Sequence, residues 1–287
     1  MGAVFLINWR TQVNIMAINP TTSESEQHAA APLAIDALLP RVDTEIFRFQ
    51  PEAHFWIGKT AARGGSIVAP DVYQAAGILR ARVYIDEYSF LPGDARNIDG
   101  TESDAEDIRS SHFAVVENSE GGNRLVGTTR LIKKETDDQT LQVEKLFPEA
   151  FADTPAPVGS VEASRFIARH PNKLLQHMVS LSLIRSMVLE ANEEGSPYIY
   201  AVVEEHLERL FRNIGLPLVR LAEAKLIEEY NTPNMPLRFS PMDILETAKA
   251  DTNNRLKMTP FFRGQGPTHG LGFYDESLTI SPSQEAN

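Results

Sequence analysis

Between residues 46 and 247, β-rich runs alternate with segments whose apolar residues recur every three or four positions. That recurrence is typical of the core-facing stripe of a helix, whereas β-rich runs bounded by Gly, Asn and Ser predict strands. Strands are predicted at 46–59, 112–117, 124–132, 160–169 and 198–203, and helices are predicted to begin near 70, 174 and 203. This order favours an α/β fold with one core and a mixed sheet.

The two ends of the chain differ from this central part. Residues 19–32 are rich in Pro, Thr, Ser, Glu and Ala and lack an apolar period, so we expect 1–45 to be a poorly ordered leader that adds little to the core. Residues 248–287 are rich in Asn, Gly and Pro and predict an irregular C-terminal extension. The sequence therefore indicates one folded catalytic or binding domain over 46–247.

Composition and charge exclude several classes of protein. The formal net charge is −12, so the chain lacks the basic excess with which a general nucleic-acid binder neutralises phosphates. There is no cysteine, which excludes disulfides, thiolate metal sites and a cysteine nucleophile, and the seven histidines do not cluster at metal-ligand spacing. No apolar window of about 18 residues predicts a membrane-spanning helix. In the absence of a signal-peptide pattern, we expect a cytoplasmic protein without integral membrane association.

Charged and aromatic residues concentrate in three segments. Arg80 and Tyr84 are four residues apart and share one face of a predicted helix, with Phe90 beyond. The acidic run 102–107 directly precedes a strand, and 162–166 carries two charges within an apolar strand. Each segment alone is more often structural, because acidic loops are usually solvated and helix arginines usually extend to solvent. Since the apolar stripe of the first helix is complete without Arg80, we expect Arg80 on its polar flank and the Arg80→Ala variant to fold.

Glu162 and Arg165 are harder to explain as surface residues, because a buried charge in an apolar strand needs a partner. Positions three apart face opposite sides of a regular strand. Either the two side chains serve different faces of the sheet, or a β-bulge breaks the register. Together with Arg130, which ends the strand before them, they could join the acidic run in a paired network that holds an amine-bearing ligand.

Five motifs in a fixed order resemble those of the acyl-homoserine lactone (autoinducer) synthases, a branch of the GNAT acyltransferase superfamily. The motifs are Arg80 with Tyr84 and Phe90, Glu102 with Asp104 and Asp107, Gly127 to Arg130, Phe147-Pro148, and Glu162 to Phe166. Three positions depart from the family pattern, which usually has Phe where this chain has Tyr84, Trp where it has Phe90 and often Tyr where it has Glu106. The segment 200–215 is more similar to the N-acyl amino acid synthases, including the exosortase-associated acyltransferases.

The resemblance implies a GNAT-type acyl-CoA N-acyltransferase fold, a mixed and mostly antiparallel sheet that is flanked by helices and splays between two strands. It implies no permanently bound cofactor. The substrates would be an acyl-phosphopantetheine, as acyl-acyl carrier protein or acyl-CoA, and S-adenosylmethionine as the amine acceptor, with an acyl-homoserine lactone as product. Two alternatives stay open: a synthase that acylates a free amino acid, and a non-catalytic sensor that binds an acyl carrier or a lipid.

The same resemblance implies roles for individual residues. Glu102 or Glu162 would be the catalytic base, with Arg165 in the catalytic group, and a bulge near 162–166 would free backbone N–H groups for the oxyanion. The acceptor would be held by a network of Arg80, Tyr84, Phe90, Asp104, Asp107, Arg130 and Phe147. Three basic residues would face the acidic acyl carrier protein, namely Arg169, Lys173 and Arg185.

Overall fold

The computed structural model of the 287-residue chain describes residues 33–34, 55–63, 66–67, 70–119, 122–230 and 232–250. Its strands are β1 (Leu33–Ala34), β2 (Phe55–Arg63), β3 (Ser66–Ile67), β4 (Ser110–Ser119), β5 (Gly122–Lys133), β6 (Val161–Ala168), β7 (Ile199–Glu204), β8 (Leu218–Arg220), β9 (Lys225–Ile227) and β10 (Thr232–Phe239). Its helices are α1 (Pro70–Ala81), α2 (Gln142–Leu146), α3 (Lys173–Glu193), α4 (Glu205–Asn213) and α5 (Pro241–Ala250).

The strands form one sheet in the order β3-β2-β4-β5-β6-β7-β10-β8, with β1 paired to β5 and β9 paired to β10. Every pairing is antiparallel except that of β6 with β7, which is parallel. The predicted hairpin is the β4–β5 pair, which runs from Ser110↔Ile132 to Ser119↔Gly122. The prediction of a mixed, mostly antiparallel sheet flanked by helices is therefore confirmed.

Helices cover both faces of the sheet, because successive side chains of a strand point to opposite sides. On β4, Ala114 and Val116 pack with residues of α1, whereas Phe113 and Val115 belong to the cluster that includes α3. Gly127 of β5 lets α3 approach closely, since a Cβ atom there would lie 2.6 Å from Val179 Cγ1. We call the side covered by α1 the α1 face.

The first predicted helix does not run unbroken to Pro92. It ends as an α-helix at Ala81 and continues as a π-helical segment, Arg82–Glu87. Short π segments within helices are frequent at functional sites. Both Phe90 N–H and Leu91 N–H donate to the carbonyl of Tyr84, so this segment turns sharply back over the sheet.

β6 and β7 pair only at their beginnings, at Val161↔Ile199 and Glu162↔Tyr200. Within the described strands, no further β6–β7 pairing follows, although β6 continues to Ala168 and β7 to Glu204. The two strands therefore enclose a wedge that opens towards their carboxyl ends, where the sequence predicted the sheet to splay.

Most of the expected leader and of the expected C-terminal extension lies outside the described residues. Two residues of the leader, Leu33–Ala34, pair with Leu125 and Arg124 of β5, which the sequence did not predict. Helix α5 extends three residues past 247 and buries Ala248. Among the described helices, none combines the length and the apolar character needed to cross a bilayer.

Candidate active site

Three arginines and three carboxylates form a closed ring of alternating charge on the α1 face. Arg80 comes from α1, Arg130 from β5 and Arg165 from β6, and each is at most 1% exposed. The carboxylates come from the loop before β4 and the 3-10 turn Ala105–Arg109. Around the ring, the order is Arg80, Glu102, Arg165, Asp104, Arg130, Asp107 and back to Arg80.

The contacts in the ring are short and several are bidentate. Arg80 Nε donates to Glu102 Oε2 at 2.5 Å, and its Nη2 donates to Asp107 Oδ2 at 2.7 Å. Arg130 holds both oxygens of Asp104, at 2.6 and 2.9 Å, and also bonds Asp107. Arg165 Nη2 donates to Glu102 at 2.6 Å and to Asp104 at 3.0 Å. Charge-assisted forks of this kind fix the orientation of every member.

Hydrogen bonds within the acidic loop fix its conformation, which explains its sequence. Asp104 caps the 3-10 turn by accepting from Glu106 N–H, while Asp107 Oδ2 accepts from Asp104 N–H. Glu102 N–H donates to the carbonyl of Gly77 in α1, where a Cβ atom would lie 2.8 Å from Thr101 Cβ. The absent side chain at Gly77 therefore allows the loop to lie against the helix.

The arginines keep all three carboxylates ionised. Burial opposes ionisation of Glu102, but Arg80 and Arg165 outweigh it and lower the pKa of Glu102. In the same way, Arg80 and Arg130 hold the pKa of Asp107 well below its usual range against burial. Both Glu102 oxygens are already hydrogen-bonded to arginine. This environment suits a positioning group and disfavours proton exchange at neutral pH.

A β-bulge brings Arg165 to the α1 face, so the second of the two sequence alternatives is right. Thr128 pairs with Ile167 and Arg130 with Ser164, which leaves two residues of β6 opposite Thr129. Arg165 adopts a positive φ of 52°, an unfavourable conformation for a non-glycine residue. The guanidinium nevertheless reaches the arginine–carboxylate ring, and its Cζ atom lies 5.5 Å from the centroid of the Tyr84 aromatic ring. Arg165 Nη1 is buried and has no partner among the described residues.

Glu162 lies on the same strand but outside the ring, so the expectation that it shares the network of Asp104 and Arg130 is wrong. Its Oε2 accepts from Val143 N–H of α2 at 3.1 Å. Its Oε1 is buried and has no partner in the described part of the chain. Burial raises the pKa of Glu162 to about 7, against backbone hydrogen bonds from 142 and 143 that lower it. A carboxyl group in this state exchanges a proton near neutral pH.

Aromatic side chains cover the bulge. Tyr84 is fully buried, and its hydroxyl lies 3.5 Å from the carbonyl oxygen of Phe166 in the bulge. The rings of Tyr84 and Phe90 are 6.3 Å apart, and Tyr88 stacks on Phe90 at 5.3 Å. Phe147, which follows α2, is buried beneath Lys225, whose Nζ lies 4.5 Å from the ring centroid.

Sequence reasoning missed two residues that support the ring. His112 lies opposite Arg130 in the β4–β5 ladder, with Nδ1 3.4 Å from Arg80 Nη1. Burial lowers the pKa of His112 to about 3, so it remains neutral between the charges. Tyr73 packs edge-on to His112 and donates to Asp107 at 3.3 Å. His112 and Ala114 are two positions apart on β4, so their side chains face the same side of the sheet. The pairing of His112 with Arg130 across the hairpin was the signal that could have identified His112 as part of the site.

Of the three basic residues expected to face a carrier protein, two are at the surface. Lys173 is exposed at the start of α3, and the side chain of Arg169 is 40% exposed, paired to Glu87 and 5.1 Å from the Tyr88 ring. Arg185 is only 4% exposed, so the expectation that it faces a protein partner is wrong. It occupies the same helical stripe as Met178 and is buried with it.

The fold agrees with what comparison with known proteins finds. A family model described as an acetyltransferase (GNAT) domain matches residues 79–179. The acyl-homoserine-lactone synthases of Aeromonas salmonicida and Aeromonas hydrophila are 27% and 28% identical over 169 and 166 residues, which cover 56% of this chain and 76% of each relative.

Two solved structures share the fold. The CoA-dependent acyl-homoserine lactone synthase BjaI, with SAM and isopentyl-CoA, aligns with a TM-score of 0.55 at 19% identity over 74% of this chain and 90% of that chain. The AHL synthase LasI aligns with a TM-score of 0.52 at 18% identity, over 66% and 91%. The chain is thus a GNAT acyltransferase. Within this class, its sequence is similar to the acyl-homoserine-lactone synthases of the two Aeromonas species.

Proposed function

We propose that this enzyme transfers a fatty acyl group from acyl-acyl carrier protein to the α-amine of S-adenosylmethionine, after which the carboxylate oxygen displaces methylthioadenosine from Cγ and closes an acyl-homoserine lactone. The observation that carries this proposal is a pair of buried atoms on one strand that have no hydrogen-bond partner among the described residues. Arg165 Nη1 is an unused donor, and Glu162 Oε1 is an unused acceptor. An α-amino acid moiety supplies the two complements, because its carboxylate accepts from a guanidinium and its ammonium donates to a carboxylate.

The ring supports this use of Arg165. Three arginines and three carboxylates balance, so the ring provides little net charge of its own. Glu102 and Asp104 hold two sides of the Arg165 guanidinium and leave Nη1 at the bulge. A donor that is held in place before the substrate arrives loses little conformational entropy on binding. Arg165 would therefore position the acceptor carboxylate, and the five other members of the ring would position Arg165.

Glu162 would then serve as the base. The attacking amine must lose its proton as the C–N bond forms and the C–S bond of the thioester breaks, and the thiolate leaves with the carrier. A carboxylate with a pKa of about 7 can accept that proton at neutral pH, directly or through a water. Glu102 is less suitable, because arginine occupies both of its oxygens and lowers its pKa.

The wedge between β6 and β7 would hold the acyl donor. Past Tyr200, the two strands no longer bond one another, so a phosphopantetheine arm could lie along the free edge of β6. The bulge at Arg165 and Phe166 interrupts the ladder beside this edge and would direct backbone N–H groups to the developing oxyanion. The thioester carbonyl would thereby lie close to Glu162.

Lys173 and Arg169 would contact the carrier protein at the open end of the wedge. We expect Lys173→Glu to raise the KM for acyl carrier protein about fivefold or more, because an exposed cation at a charged interface acts on association. The net charge of −12 opposes long-range steering, so the local cations matter more. Initial rates at two salt concentrations measure the effect. Arg209→Glu on the exposed side of α4 is the matched control and should leave this KM unchanged.

A second acceptor, a free amino acid, is favoured by Tyr84 and Phe90. Tyr84 carries a hydroxyl at the bulge, and Phe90 is smaller than the Trp of the family pattern. S-adenosylmethionine and a free amino acid share the α-amino acid moiety that Arg165 and Glu162 would bind, so the rest of the pocket decides between them. The comparisons identify an acyltransferase, which leaves the non-catalytic sensor without support.

One experiment separates the two acceptors. The protein is incubated with mixed acyl carriers, S-adenosylmethionine and all amino acids, and the products are identified by mass spectrometry. We expect an acyl-homoserine lactone, and we expect S-adenosylmethionine to raise the melting temperature of the free protein, since a ligand that binds only the folded state stabilises it. A linear N-acyl amino acid with no effect of S-adenosylmethionine would assign the second acceptor instead.

A further inference from the structure

A second polar cluster lies at the end of β7, outside the arginine–carboxylate ring. Glu204 is the last residue of β7, His206 is in the first turn of α4, and Asn234 of β10 lies directly opposite Glu204. His206 Nδ1 is 3.1 Å from Glu204 Oε2, so Nδ1 is the nitrogen that donates to the carboxylate, and in a neutral imidazole Nε2 is then an acceptor. Asn234 is fully buried, and its Nδ2 donates to the carbonyl and hydroxyl oxygens of Thr232 at 2.9 and 3.0 Å.

Two atoms of this cluster have no hydrogen-bond partner among the described residues: His206 Nε2 and Asn234 Oδ1. Both are buried acceptors, and the carboxylate of Glu204 lies beside them. The nearest cation in the ladder is Lys225, which faces Asn234 from β9 but directs its Nζ to Glu149 at 2.9 Å. Because buried acceptors in folded proteins nearly always have a donor, this group of acceptors is suited to an N–H donor that a ligand supplies.

The cluster borders the wedge on the side away from Glu162. Tyr200, which is level with Glu162, and Glu204 are four positions apart on β7, so they share a face and lie about 13 Å apart. β7 has already parted from β6 between these two residues. A substrate that extends from Glu162 to the open end of the wedge would therefore pass the cluster.

We propose that Glu204, His206 and Asn234 form a subsite that binds an N–H group, an amide or an ammonium, of a substrate in the wedge. The proposal rests on the proposed function, because the wedge holds a substrate only if acyl transfer takes place there. The N–H has two possible sources. One is the amide groups of the donor's phosphopantetheine arm, and the other is the acceptor. The test below distinguishes them.

The test uses three donors that carry the same acyl chain. Acyl-pantetheine has two amide N–H groups, acyl-N-acetylcysteamine has one, and the third donor has an ester oxygen in place of that N–H. We expect His206→Leu to lower kcat/KM about tenfold for a donor whose amide reaches the subsite and to leave the oxygen analogue unchanged. His206→Gln keeps an acceptor and should retain most of the donor preference. Asn234→Leu should act like His206→Leu, and Arg209→Ala on the same helix should have no effect.

If the N–H belongs to the acceptor, His206→Leu raises the acceptor KM equally with all three donors, which supports the subsite with the second source. If His206→Leu changes neither kcat/KM for the amide donors nor the KM for the acceptor, the proposal is overturned. If the protein transfers no acyl group, the subsite can still be tested through the melting temperature, measured with pantetheine alone or with S-adenosylmethionine alone. A stabilisation by one of them that His206→Leu loses and His206→Gln keeps supports the subsite, and its persistence in His206→Leu overturns it.

Discussion

The Glu162→Gln variant is expected to lose about 100-fold or more in turnover, the range for a lost general base, while its fold stays intact. Glutamine has the shape of glutamate and can still accept from Val143 N–H through its amide oxygen. It cannot take a proton from the attacking amine. Glu162 is outside the ring, so the substitution leaves every arginine with its carboxylates. Single-turnover rates with a saturating acyl donor measure the loss.

The pH dependence gives an independent readout of the same group. As a base, Glu162 must be ionised, so wild-type turnover should rise as pH increases through about 7. The folded protein binds the proton more tightly than an ordinary glutamate with a pKa of 4.5, so the free energy of unfolding should fall as pH rises from about 4.5 to about 7. Glu162→Gln should lack both trends.

Glu102→Gln is the informative comparison for these results. If Glu102 were the base, Glu102→Gln would lose turnover about 100-fold or more and Glu162→Gln would retain more than about a tenth of wild-type turnover. We expect Glu102→Gln to lose stability as well, because removing the charge of Glu102 breaks the ring between Arg80 and Arg165. A Glu162→Gln variant of nearly full activity would show that the proton leaves by another route.

Local pattern predicted most of the elements that carry the site. Apolar spacing located α1 and α3, and the β-rich runs on either side of 119–123 predicted the β4–β5 hairpin. Charges inside the apolar strand 160–169 left a bulge as one of two alternatives, and the structure has a bulge at Arg165 and Phe166. These predictions succeeded because each depends on neighbours in the sequence, within one element or one hairpin.

The burial of individual side chains could not be predicted from local sequence pattern in the same way. Arg80 was expected on the polar flank of α1, but the acidic loop folds over that flank and buries the guanidinium. Glu162 and Arg165 are only three residues apart, yet Glu162 accepts a hydrogen bond from α2 and Arg165 donates to the carboxylates of the ring. Both outcomes depend on where distant segments pack. Arg185 differs, because its spacing from Met178 already placed it in the buried stripe of α3.

Arg80→Ala is expected to lower the free energy of unfolding by about 3–5 kcal/mol, the cost of removing one partner from a buried ion pair. The variant leaves Glu102 and Asp107 with fewer donors, and the ring with three carboxylates and two arginines. Because Arg80 also holds the carbonyl of Glu102 at 2.6 Å, its loss removes one of the hydrogen bonds that hold the acidic loop against α1. Urea denaturation of the full chain measures the change.

The control for Arg80→Ala is Arg82→Ala, two positions along the same segment. Arg82 pairs with Glu87 at 3.4 Å, and its side chain is 22% exposed, so its removal should cost less than about 1 kcal/mol. A second variant tests the reason for the loss. If Arg80→Ala is destabilising because it strands the charge of Asp107, then adding Asp107→Asn should cost less in the Arg80→Ala background than in wild type, with a coupling of about 1–3 kcal/mol. Equal cost in both backgrounds would mean that Arg80 stabilises the fold by packing alone, and the ring would then be a set of neighbours without mutual dependence.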